Sequence, residues 1–330
     1  MGARRASLFV IAIALASAVF ARVSVAHATP GASGASTADV VAQAIAFDRW
    51  RGLSFGTYLA PKADFVASDG GVDVVFHFHA GQMAERQMKE SGLNAVFVSC
   101  GYGIGSGAYA DALANPARFG RMLDELVKNL ESQTGKTGLH VRHLALASWS
   151  AGFAAVSKIL AVDRYYAMVD TVILNDSLHS QYKDPNPKTA AQGADRVDLK
   201  MMRAFLRFAK DAAAGKKTMA ITHSSIVPPD YASSSEATQA LLTAIEVPST
   251  VVDPGSPGSA ATQVASPSWR AMTLIKRADS GNLHVRGFRG RGPKDHFEHL
   301  YLIGEVLRSW VAPRWKREDR LVYTLAGEQL

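Results

Sequence analysis

The sequence predicts an α/β domain with a mostly parallel central sheet, helices on both faces and a lid-like insertion. Three observations predict it. Apolar runs of strand length, rich in β-branched residues and bounded by turn residues, recur along the chain. Helical patterns lie between most of them, and that alternation is the mark of a parallel sheet covered on both sides. At 330 residues, 48% hydrophobic and 20% charged, the chain can bury one sizeable core.

The strand-like runs are, in order, LSFGTYLA near 53, VDVVFHFH near 72, NAVFVSC near 94, VRHLALAS near 141, DTVILND near 170, KTMAITHSS near 217 and NLHVRGF near 282. Two helices are well marked. Asn115 and Pro116 supply a cap and a first-turn proline, after which Phe119, Met122, Leu123, Leu126, Val127 and Leu130 share one face. The other is predicted to start at Asp295 as N-cap, paired with Glu298, and carries Leu300, Ile303, Val306, Leu307 and Trp310 on one face. Two segments break the alternation. Residues 177–216 run from HSQYKDPNPKTAAQG into the helix LKMMRAFLRFAKDAA and are expected to form a cap; residues 226–268 hold one short helical stretch and a Pro/Gly/Ser-rich loop.

Ahead of this domain, Arg4 and Arg5 precede the apolar run SLFVIAIALASAVFA, and Ala26-His27-Ala28 follows as a small-x-small cleavage site. Residues 1–28 therefore read as a secretory signal peptide, 29–48 as a linker and lead-in, and 49–330 as a single domain that is secreted or periplasmic. No stable membrane span is expected once the signal is removed. The single cysteine, Cys100, excludes an intrachain disulfide and ends an apolar strand as a buried thiol or, alternatively, a nucleophile. The formal charge of +7 is dispersed, without clustered Arg/Lys and interleaved aromatics, so no nucleic-acid partner is expected.

The chemistry points to ALASWSAGFAAVSKIL, residues 145–160. In small-x-Ser-x-Gly, a serine sits on a tight strand-to-helix turn, and the residues two before and two after it must be tiny. Ser148 and Gly152 meet that demand around Ser150, whereas centring the pattern on Ser148 would put Leu146 in a place too tight for it. The N–H of Ala151, at the start of the following helix, can then hold an oxyanion.

On these residues the chain resembles the α/β-hydrolase fold family of serine hydrolases, of the esterase and lipase kind, over about residues 50–311. The resemblance rests on HFHAG after a strand, SWSAG as the nucleophile elbow, an acid at a later strand end and a histidine after the last strand. The elbow departs from the family pattern in its first position, Ser148 standing where a glycine is usual. The likeness implies a Ser-Asp-His triad of Ser150, Asp176 and His296, with Asp230 the competing acid and His299 the neighbouring histidine. It also implies an oxyanion loop at His77-Phe78-His79-Ala80-Gly81, the N–H coming from Ala80, Gly81 or Gln82.

The function expected is hydrolysis of a carboxylic ester or related acyl bond through an acyl-enzyme, with no cofactor and no metal. Trp149, Tyr102 and the methionines of 177–216 suggest a small-molecule or lipid-like acyl substrate. Three other readings stay open. His77 and His79, with Asp176 or His179, could form a metal-dependent hydrolase; GYGIGSGA at 101–108 is a weak nucleotide-binding pattern, its tyrosines Tyr102 and Tyr109 otherwise facing substrate; and the architecture could serve a non-catalytic binding module.

Overall fold

The computed structural model describes residues 45–184, 193–253 and 272–316. The signal peptide expected at 1–28 and most of the linker lie outside the described residues. Ten described strands form one sheet: β1 (Arg51–Leu53), β2 (Gly56–Leu59), β3 (Gly71–Phe78), β4 (Val96–Cys100), β5 (His140–Trp149), β6 (Thr171–Asn175), β7 (Thr218–His223), β8 (Thr250–Val251), β9 (Leu274–Ser280) and β10 (Leu283–Phe288). Their spatial order is β1-β2-β4-β3-β5-β6-β7-β10-β9-β8. From β4 to β10 every neighbour pair is parallel, and both flanks are antiparallel.

Side-chain alternation divides the core between the two faces. Phe76, Phe78, Leu146, Val172 and Leu174 point to one, where helices α3 (Arg118–Thr134, after α1 at Glu85–Glu90 and α2 at Ser106–Ala112) and α4 (Phe153–Leu160) supply Phe119, Met122, Leu126, Val156 and Ile159. Val75, Phe97, Ala145, Ala147 and Ile173 point to the other, where Leu300, Ile303, Val306, Leu307 and Trp315 cover them. Because both faces are covered, β3 buries all eight residues of GVDVVFHF. Cys100 belongs to the first core; burial pushes its thiol up to about 12, so it packs as a small hydrophobe and stays protonated.

Several boundaries differ from those expected. LSFGTYLA contributes to a hairpin, with Leu53 opposite Gly56, rather than to one strand. The Asn115 side chain accepts from Ala117 N–H at 2.9 Å in a turn, and α3 starts only at Arg118. The last long helix starts two residues before Asp295, at Pro293; Asp295 is not its cap but reaches back to accept Gly292 N–H at 2.9 Å. β9 was not legible because LIKRADS carries its charges along a half-exposed hairpin strand against β10.

The expected cap divides in two. Its helix α6 (Arg203–Ala213, after α5 at Asp163–Met168) is the crossover that two adjacent parallel strands, β6 and β7, require. Its Phe205, Phe208, Ala209 and Ala212 are buried in the main core. Residues 177–184 and 193–202 remain outside the sheet layer, joined by the bridge Tyr182↔Val197. Within 226–253 the expected helical stretch is α7 (Ser234–Ala244), capped reciprocally by Ser233 and Glu236; residues 254–268 lie outside the described residues.

Candidate active site

Parallel register brings the carboxyl ends of four strands to one edge. Phe78 lies opposite Ser148, Trp149 opposite Asn175, and Asn175 opposite Thr222. The residues that leave these strands, His79, Ser150, Asp176 and Ser224, therefore emerge side by side. Ligand sites of open α/β sheets lie at such an edge.

Ser150 sits where β5 turns into a 3₁₀ turn, Ser150–Gly152, that leads into α4. Its φ is 51°, a left-handed conformation that a serine adopts only under constraint. Gly152 explains part of that constraint: a Cβ there would stand 2.2 Å from the carbonyl oxygen of Phe78, so the turn can lie on β3 only with glycine at this position. Ser150 is itself partly exposed.

The Nδ1 of His296 lies 2.7 Å from Asp176 Oδ2. An ionised carboxylate only accepts, so Nδ1 carries the hydrogen and Nε2 is the nitrogen left to take a proton. The other oxygen of Asp176, Oδ1, accepts Ser224 N–H at 3.0 Å and the Ser234 hydroxyl. Burial alone would raise this carboxyl, but His299, His296 and Ser224 N–H together hold it well below the usual carboxylate range. Asp230, the competing acid, is exposed. His299 is fully buried and its Nδ1 meets Thr222 Oγ1 at 2.8 Å; burial pulls it down to about 4.

Trp149 is only 4% exposed, and the structure seats it against the imidazole rather than open to a substrate. Its Nε1–H donates to the backbone carbonyl of His296 at 2.8 Å. Its ring stacks on His79 at 5.1 Å and lies 4.6 Å from the His296 ring and 4.9 Å from Phe297. Tyr102 is half-buried, its hydroxyl facing the Met122 sulfur, while Tyr109 is fully buried with its hydroxyl 2.7 Å from His79 Nδ1.

On the loop expected to carry an oxyanion donor, His79 and Ala80 both have positive φ, 75° and 57°, and Ala80 leads into a 3₁₀ turn at Gly81–Ala84. His77 is fully buried against Phe97, and burial pulls it down to about 3, His79 to about 4. The two imidazoles point into different surroundings, and among the described residues no group of three or more His, Cys, Asp or Glu side chains is arranged to hold a metal ion.

Two further residues of the candidate site escape sequence reasoning. Ser177, fully buried, donates its hydroxyl to the carbonyl oxygen of Ser150 at 2.8 Å and lies 2.8 Å from Ser148 Oγ. Ser224 supplies the backbone donor to Asp176. Only the placement of Ser177 directly after Asp176 could have signalled it.

No family model matches the chain, and no curated protein matches it. Among solved structures, it is similar to a cold-adapted esterase from an Arctic intertidal metagenomic library, at 10% identity and TM-score 0.39, with 80% of this chain and 97% of that one covered. It is also similar to the enterochelin esterase of Shigella flexneri, at 11% identity and TM-score 0.41 over 79% of this chain and 55% of that one. A ferulic acid esterase matches at 14% identity and TM-score 0.41 over 77% and 91%. The strand order β1-β2-β4-β3-β5-β6-β7-β10, with a serine turn after β5, is independently that of an α/β-hydrolase-like fold, and this chain has that fold.

Proposed function

We propose that the protein is an exported serine hydrolase that cleaves a carboxylic ester or related acyl bond through Ser150, His296 and Asp176. The observation that carries this reading is the 2.7 Å bond from His296 Nδ1 to a buried, thrice-bonded carboxylate, on the sheet edge where Ser150 is held at φ 51°. Export rests on the reading of residues 1–28 alone.

In this mechanism Ser150 Oγ attacks the acyl carbon while His296 Nε2 takes its proton, and Asp176 stabilises the imidazolium. The carbonyl electrons move to an oxyanion held by the N–H groups of Ala151 and of Ala80 or Gly81. The ester C–O bond then breaks, and the alcohol leaves with the proton from Nε2. Water repeats the sequence on the acyl-enzyme, its proton passing to Nε2 and on to Ser150 Oγ as the acid departs. Trp149 holds the imidazole from behind through the His296 carbonyl, and the low Asp176 pKa keeps the carboxylate ionised throughout.

A series of p-nitrophenyl esters of rising acyl length, with fluorophosphonate labelling of Ser150, tests the reading. Turnover and labelling that both vanish in Ser150→Ala are expected. Turnover that survives in Ser150→Ala would overturn it.

A further inference from the structure

The elbow departs from its family pattern at Ser148, and the structure gives that departure a use. Ser177 has one hydroxyl hydrogen, and it is spent on the Ser150 carbonyl. The 2.8 Å contact between Ser148 and Ser177 must then run the other way, with Ser148 donating to Ser177 Oγ. Both serines are 0% exposed, so water does not reach either hydroxyl. The result is a dry relay that ends on one backbone carbonyl.

That carbonyl belongs to the same peptide unit as the N–H of Ala151. A peptide unit is planar, and in its trans form the C=O and N–H point in opposite directions, so fixing one fixes the other. The described residues contain no cis peptide bond. The turn needs such a fixing. At φ 51° Ser150 is in a region that serine leaves readily, and a rotation of the peptide would aim the Ala151 N–H away from the place where an oxyanion forms.

On the reading of the site given above, we infer that Ser177 and Ser148 are positioning residues that hold the Ser150–Ala151 peptide with its N–H aimed at the oxyanion. Ser177 also follows Asp176 directly, so one short segment, Asp176-Ser177, orients the imidazole through its first residue and the oxyanion donor through its second. The serine at 148 reinforces this: by donating into Ser177 Oγ it polarises that hydroxyl and fixes its rotor toward the Ser150 carbonyl.

The test compares Ser177→Ala with the parent on a p-nitrophenyl ester and on a boronic acid that mimics the tetrahedral intermediate. Loss of an oxyanion donor costs about 10²–10³ in kcat, and a donor loosened rather than lost is expected to cost about 10-fold, with KM unchanged. Affinity for the boronic acid should fall by the same factor, while affinity for the carboxylate product stays within about twofold. A merely structural role would not separate these two affinities. Ser148→Ala should show the same split at a few-fold, and it carries the test should Ser177→Ala not fold. A folded Ser177→Ala or Ser148→Ala with parental kcat and boronate affinity would overturn the anchor. A parent that neither turns over esters nor labels with fluorophosphonate would instead overturn the hydrolase reading on which the anchor rests.

Discussion

The two ends of the same strands solve the problem of turning the chain in different ways. The turns that lead into β3, β5, β7 and β10 adopt positive φ on glycines, Gly70, Gly138, Gly215 and Gly281, where that conformation is nearly free of cost. The turns that leave β3, β5 and β6 adopt it on His79, Ala80, Ser150 and Asp176, where a Cβ makes it costly. Buried carboxylates differ in parallel. At the amino end Asp73 is held by Nε and Nη2 of Arg142, at 2.8 and 2.7 Å, a partner that cannot lose its proton, and by His143 Nδ1 at 3.1 Å. At the carboxyl end Asp176 is held by His296, a partner that can. The amino end anchors its buried acid on a permanent cation and places its positive φ on glycines; the carboxyl end puts strain and a movable proton in the same place.

Paired substitutions at the two acids should break this symmetry most strongly. On the proposed mechanism, Asp176→Asn removes the charge that stabilises the imidazolium and favours the wrong tautomer, and a loss of about 10⁴ in kcat is expected. Asp73→Asn leaves Arg142 partly solvated and should cost stability, about 1–3 kcal/mol, with kcat held near the parental value. Steady-state ester kinetics and urea melts of the two variants decide the matter. Equal loss of activity in both would remove the distinction between the ends.

The next effect is pH dependence of stability. An imidazole titrates near 6.5 in an unfolded chain, whereas burial holds His77 to about 3 and His79, His179 and His299 to about 4 in the fold. Across that interval the folded state binds fewer protons than the unfolded one, so stability is complete above about pH 6.5 and falls as the pH drops toward 4. All four residues lie on or just beyond the carboxyl half of the sheet or in α8 (Pro293–Tyr301), which α7 precedes in the chain. Thermal midpoints measured between about pH 7 and pH 5 should decline, and His77→Leu, which removes a buried imidazole whose two nitrogens have no hydrogen-bond partner, should flatten the decline. An unchanged slope in His77→Leu would show that this imidazole does not contribute.

Much of this was legible in the chain, and the limits have physical causes. The elbow is visible because close approach to Phe78 leaves only glycine at 152, and steric exclusions write themselves into sequence. The parallel sheet is visible because doubly covered strands must be apolar throughout, as β3 is. The choice between Asp176 and Asp230 as partner of His296 is not visible, because both follow strands that end at the same edge and only the folded chain buries Asp176 and leaves Asp230, seven residues past β7, exposed. The burial of Trp149 behind His296, 147 residues away, is hidden for the same reason. The Ser148-Ser177 relay is harder still: two serines carry no periodicity, and their meaning arises only when β5 and β6 lie side by side.

The smallest expected change in stability bears most directly on the strain at the carboxyl end. Ser150→Gly keeps the turn but lets φ 51° be adopted without a Cβ, so it should abolish turnover and raise stability by up to about 1 kcal/mol, less the backbone entropy that glycine adds to the unfolded chain. Gly138→Ala is the matching change at the amino end. Nothing stands within 4 Å of the Cβ it would add, so any loss comes from φ 74° alone, and about 1 kcal/mol of destabilisation with unchanged kcat is expected. Opposite signs in the two denaturation midpoints would show that the serine, not the turn geometry, holds the strain. If Ser150→Gly is less stable than the parent by as much as Gly138→Ala, the hydroxyl contributes more to the fold than its conformation costs, and the contrast between the two ends fails at the residue where it is sharpest.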